Sequence, residues 1–220
     1  MNVFRTKLTV LLLGLLMAGG ATAGDNLWLG LKAGTLGAGL EAIWRPIPLL
    51  DVRAGGNVYD FDDDGSQAGV NYNATLQLET YYLTGNFLFP VSPFRVTVGA
   101  FSNGNELQMV SMDSPAFDLG GGTFTQADVG TLRSTTYFED VAPYLGVGFD
   151  FNIAGKAGLN LDFGVLWQGE PSVTLTADGL LANDPTFLAE LEAERQELET
   201  EFEDYKAYPV VSVGFSFNFF

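Results

Sequence analysis

The sequence predicts an all-β protein: an eight-stranded antiparallel transmembrane β-barrel of up-and-down topology, with one helix in its last long connection. Three observations predict it. Two-residue alternation recurs along the chain, with small or polar residues on one phase and large apolar residues on the other. The alternating segments have the length of tilted membrane strands, and their number is even. Short and long connections also alternate strictly after the first hairpin.

The chain starts with a leader. Arg5 and Lys7 precede the apolar run LTVLLLGLLMAGG, and Ala21-Thr22-Ala23 follows as a small-x-small cleavage site. This is a secretory signal peptide over 1–23, with 24–220 as the exported barrel domain. Losing the leader removes two of the 10 basic residues and none of the 27 acidic ones, so the net charge falls from −17 to −19. Such a surface repels nucleic acid, which is set aside as a partner. The chain has no cysteine, so export brings no disulfides.

The strands are expected at about 27–36, 37–46, 50–61, 72–89, 94–107, 137–152, 158–170 and 208–220. In the first, Leu27, Leu29, Leu31 and Ala33 alternate with Trp28, Gly30, Lys32 and Gly34. In the third, Leu50, Val52, Ala54 and Val58 alternate with Asp51, Arg53, Gly55 and Asn57. The fourth changes phase: Leu76 and Leu78 lie on one, and Tyr81, Leu83 and Phe87 on the other. Either a bulge near Glu79–Thr80 or a first half that rises above the bilayer explains the slip. In the last strand Phe215, Phe217 and Phe219 share a phase that Phe220 leaves. One of the last two must serve as the terminal aromatic that barrel-assembly machinery recognises.

The short connections are PIPL, PVSP and AGKA, rich in residues that stop strand pairing. From a periplasmic N-terminus these are the periplasmic turns. The long connections 62–71, 108–136 and 171–207 then lie outside. The last holds an acidic helix over about 185–206. Asp184 is its N-cap, Pro185 its first residue, and Phe187, Leu191, Leu198, Phe202 and Tyr205 form its apolar stripe. The helix reads as solvated, with the stripe resting on the barrel rim; a partner-binding helix or a lid are the alternatives.

In a membrane barrel the polar phase faces the lumen. That phase carries Lys32, Glu41, Arg45, Arg53, Arg95, Tyr144, Asp150 and Asp162, which are the expected lumen-lining residues. Tyr59, Asn160 and Gln168 share it. Buried singly, these charges cost several kcal/mol each, so they must pair or stay wet. Glycines on the same phase remove filling, which favours a path, yet glycine also relieves crowding in small barrels.

No histidine is present, so no histidine-based hydrolase or acyltransferase site can be assembled. Asp150 and Asp162 read as salt-bridge partners rather than an acid–base pair, and no enzyme and no cofactor are expected.

The stretch DFDDDG places Asp60, Asp62 and Asp64 at alternate positions before Gly65. It matches the first half of an EF-hand loop, but Asn71 stands where the bidentate glutamate belongs. It reads as an acidic turn on the rim of the barrel mouth and as a weak divalent-cation site on those three residues.

Several stretches resemble one known family: AGTLGAGLEAIWRP, FRVTVGAFSNGNEL, VAPYLGVGFD, GVLWQGEPSVTLT, and the acidic helix followed by YPVVSVGFSF. They resemble the outer-membrane barrels of the carbapenem-associated CarO type, regarded as ornithine-uptake porins. The resemblance implies the outer membrane as location, with its lipid and lipopolysaccharide as surroundings. It also implies transport of small, basic amino acids. The expected function is therefore a narrow passive channel for small polar or cationic solutes; the alternative is a non-conducting structural or surface-interaction barrel.

Overall fold

The computed structural model describes residues 26–67, 70–153 and 155–218. The leader expected over 1–23 and the terminal Phe219 and Phe220 lie outside the described residues. In chain order the first strands are β1 (Leu27–Gly34), β2 (Gly37–Ile47), β3 (Leu50–Gln67), β4 (Val70–Leu88) and β5 (Phe94–Asn103). Then come β6 (Glu106–Ser111), β7 (Ala116–Leu119), β8 (Gly122–Thr125), the single-turn α1 (Gln126–Val129) and β9 (Leu132–Tyr137). The chain finishes with β10 (Val141–Ile153), β11 (Ala157–Trp167), β12 (Ser172–Ala177), α2 (Pro185–Glu201), a 3₁₀ turn (Phe202–Lys206) and β13 (Ala207–Asn218).

Eight of these strands close into a barrel. β1 to β5, β10, β11 and β13 each pair antiparallel with the next, and β13 pairs back to β1. Closure removes every free sheet edge from the wall. The outward phase is apolar: Leu31, Leu83, Val98, Leu145, Phe163, Val213 and Phe215 are all exposed. An exposed apolar belt around a whole barrel is the surface a hydrocarbon solvent requires. Trp44 near the short-turn end and Trp167 at the opposite end sit where aromatic girdles belong.

The connections at the far end are not open loops. The part of β4 over Tyr72–Gln77 leaves β5 and pairs with β6; β6 then pairs with β9, and β9 with β12. With the upper part of β3 these extend the barrel's sheet beyond the wall as a cap. The β7–β8 hairpin, α1 and α2 close over it. Phe117, Leu119, Val129, Leu175, Phe187 and Leu191 make a core that is separate from the barrel's own.

This revises four expectations. The β3–β4 register runs unbroken from Leu50↔Phe87 to Gln67↔Val70, so there is no bulge at Glu79–Thr80. Leu76 and Leu78 share a phase with the lumenal Thr80 and Tyr82, but stand above the barrel, where that phase meets the cap interior. The acidic stretch is not a turn, because β3 continues to Gln67. The helical stripe packs on β12 and β7 inside the cap rather than on the barrel rim. It ends early: Phe187 and Leu191 are buried, while Tyr205, in the 3₁₀ turn, is exposed.

Candidate functional site in the barrel lumen

The inward phase brings charges from six strands into one network. Arg53 on β3 is the hub. Its Nε and Nη2 donate to Asp51 Oδ1 and Oδ2, both at 3.2 Å, and Nη2 also donates to Asp150 Oδ2 at 2.7 Å. Its Nη1 lies 3.7 Å from Glu41 Oε1. Arg95 on β5 is the second hub. Its Nε donates to Asp150 Oδ1 at 3.1 Å, Nη1 to Asn86 Oδ1 at 2.9 Å and to Thr97 Oγ1 at 2.6 Å, and Nη2 to Asp162. Lys32 Nζ is 3.6 Å from the other Asp162 oxygen, which also accepts from Ser212 Oγ at 3.2 Å. Arg45, at the short-turn end, lies 3.5 Å from Asp51.

The network thus joins four cations to four carboxylates. Charges of one sign left over in a low-dielectric interior would be costly, and none is left over here. Two forked guanidiniums supply most of the bonds, a role lysine cannot fill because it lacks the planar fork.

Above the network an aromatic layer fills the lumen. Tyr82 stacks on Phe101 with centroids 4.9 Å apart, and Phe101 meets Tyr144 at 5.2 Å. Leu36, Ala142, Leu166 and Val210 complete this buried cluster. The Tyr82 hydroxyl ties the layer to the charges by donating to Glu41 Oε2 at 3.0 Å, and Lys32 Nζ sits 5.0 Å above its ring. Between the two layers remains a cavity of about 20 Å³, room for one water. Toward the short-turn end a wider recess of about 160 Å³ is lined by Arg45, Asp150 and Asn160.

The lumenal glycines serve this filling. A Cβ built on Gly148 would lie 2.7 Å from Arg95 Nη2, and one on Gly164 would lie 2.5 Å from Tyr144 Cζ. They make room for large side chains rather than for a path.

The structure therefore brings Lys32, Glu41, Arg45, Arg53, Arg95, Asp150 and Asp162 together and sets Tyr144 over them. Asp150 and Asp162 each face arginines, not one another. Tyr59 is exposed at the mouth, and Gln168 is buried where barrel meets cap, accepting from Asn105 Nδ2 at 2.9 Å. Sequence reading left Asp51 out of the lumen set, although its alternation with Val52 and Leu50 marked its phase. It also left out Tyr82, Thr84 and Asn86, although their alternation with Tyr81, Leu83 and Phe87 marked their phase. Asp60, Asp62 and Asp64 do not converge. Strand geometry spaces alternate residues by roughly 6.6 Å, and Asp62 and Asp64 accept hydrogen bonds from Thr75 and Asn73 across the pair. Among the described residues no group of three or more His, Cys, Asp or Glu is placed to hold a metal ion.

A closed eight-stranded barrel with an apolar exterior and an ionic interior is the architecture of an outer-membrane β-barrel. Among solved structures, the chain is similar to the crystal structure of Acinetobacter baumannii CarO2, with a TM-score of 0.59 and 20% identity over 87% of this chain and 97% of that one. It is similar to Acinetobacter baumannii CarO as well, with a TM-score of 0.58 and 24% identity over 88% and 98%. The fold is therefore that of the CarO barrels. No protein-family model and no curated protein matches the chain.

Proposed function

We propose that this protein is an outer-membrane barrel whose lumen is shut in the state described, and that its folded acidic cap, facing outward, carries its function. One observation carries the first part: the aromatic layer of Tyr82, Phe101 and Tyr144 lies directly on a charge-balanced network, leaving only about 20 Å³ between them. Eight strands enclose a space that side chains can fill completely. The exposed apolar belt supports residence in the membrane, and lipopolysaccharide would surround its outer edge. Purified protein in planar bilayers should show no steady conductance; reproducible open-channel steps would overturn this reading.

A second reading is a gated passage for small polar or cationic solutes, including basic amino acids. The recess lined by Arg45, Asp150 and Asn160 favours it, since a solute could enter that far from the periplasmic side. The acidic cap would concentrate cations on the other side. Uptake of a basic amino acid into liposomes carrying the protein, absent from protein-free liposomes, would support this passage over the shut barrel.

A further inference from the structure

The cap contains a cavity that the lumen does not explain. It holds about 570 Å³, within the range of small-molecule sites, and opens along one side of α2. Its floor is apolar, with Phe117 from β7, Leu175 from β12 and Leu198 from α2. Its rim carries Glu197 and Glu201.

Two independent features point to a ligand. The first is charge. Glu190 and Glu194 are already used: they accept from the amides of Gly121 and Gly120 at 2.8 and 3.0 Å and hold the hairpin turn. The basic residues of the cap are used as well. Arg133 faces Asp178, Arg195 faces Glu192 and Glu199, and Lys206 faces Glu170 and Glu203. Among the described residues no cation is left for Glu197 or Glu201. The second is a hydroxyl. Ser134 on β9 lines the cavity, is 6% exposed, and its Oγ has no hydrogen-bond partner. A buried hydroxyl without a partner is destabilising, and a ligand's acceptor would relieve that cost.

We infer that the cap binds an organic ammonium compound with an apolar body: the ammonium between Glu197 and Glu201, the body on Phe117, Leu175 and Leu198, and an acceptor atom at Ser134 Oγ. The inference does not depend on whether the lumen conducts.

Dansylcadaverine tests it, because it joins an ammonium to an aromatic ring and sulfonamide oxygens. The probe is titrated against the full chain in phosphatidylcholine nanodiscs and followed by dansyl fluorescence. The wild type should give saturable, blue-shifted binding. E197Q/E201Q, on an exposed face of the helix, should weaken it about tenfold, and S134A about threefold, as loss of one ordinary hydrogen bond does. The same dansyl sulfonamide without the amine should bind about as weakly as the probe binds E197Q/E201Q. Absence of saturable binding to the wild type would overturn the inference, as would unchanged affinity in E197Q/E201Q. Loss in E197Q/E201Q with S134A unchanged would reduce it to surface ion pairing and overturn the cavity assignment.

Discussion

Arg53 Nη2 on β3 donates to Asp150 Oδ2 on β10 at 2.7 Å, joining strands three places apart around the barrel wall. The same guanidinium holds Asp51 and faces Glu41, so one side chain neutralises charge from three strands. Removing it leaves buried carboxylates without their main partner. Arg53→Ala should cost about 3–5 kcal/mol of barrel stability, and Arg53→Lys should recover only part, since the fork is lost. Urea titration in lipid vesicles, followed by heat-modifiable gel mobility, measures both.

Gly148 and Gly164 are expected to tolerate no side chain. Gly148→Ala pushes a methyl into the Arg95 guanidinium, and Gly164→Ala pushes one into the Tyr144 ring. Each should cost roughly 1–3 kcal/mol as overpacking. Gly85→Ala is the control, because nothing lies within 4 Å of its added Cβ. It should be neutral or slightly stabilising in the same titration.

The cap should unfold apart from the barrel. Phe187, buried at 1% exposure, meets Phe124 edge-on at 5.0 Å inside the cap core. Phe187→Ala should cost the cap about 3–5 kcal/mol. Proteolysis should then cut within 108–136 and 171–207, while the barrel keeps its folded gel mobility.

The cap should also loosen in acid. Asp178 accepts from the Thr131 amide and from Arg133 Nη1, at 2.6 and 2.8 Å, and the amide bond chiefly holds its carboxyl below the ordinary 3.8. A depressed folded pKa stabilises above the ordinary value, and that contribution fades as pH falls through the folded pKa. Amide exchange around Thr131 and Asp178, corrected for intrinsic rates, should therefore quicken between pH 5 and pH 3. In Asp178→Asn this change should be much smaller.

How much the sequence showed depended on the range of the interactions. Period-2 alternation is local, and a barrel strand has a wall with two solvents, so Leu29, Leu31 and Lys32 announce their sides without any partner being known. The N-cap of α2 was local too: Asp184 Oδ1 accepts from the Thr186 and Phe187 amides at 2.9 and 3.1 Å, as the residue order implied. The cap strands were hidden because their pairings join distant segments. β6 pairs with β4 across the intervening β5, and β12 with β9 across β10 and β11. Ser134–Thr136, polar on both faces, resembles loop in isolation, and although Val173 and Leu175 alternate with Ser172, Thr174 and Thr176, six residues are too few to mark a strand by themselves.

The sequence by itself therefore determined the eight-stranded barrel, its closure and its inside and outside, because alternation and turn residues act over a few positions. Only the tertiary structure decided that the lumen is filled. Whether Gly148 opens a path or admits Arg95, and whether Asp150 meets another acid or two arginines, depends on which residues stand opposite across the barrel. That is set by register among all eight strands. The cap was decided the same way: the helical stripe was legible, but its partners at 117–132 and 175–181 were not, because these segments meet only above the barrel.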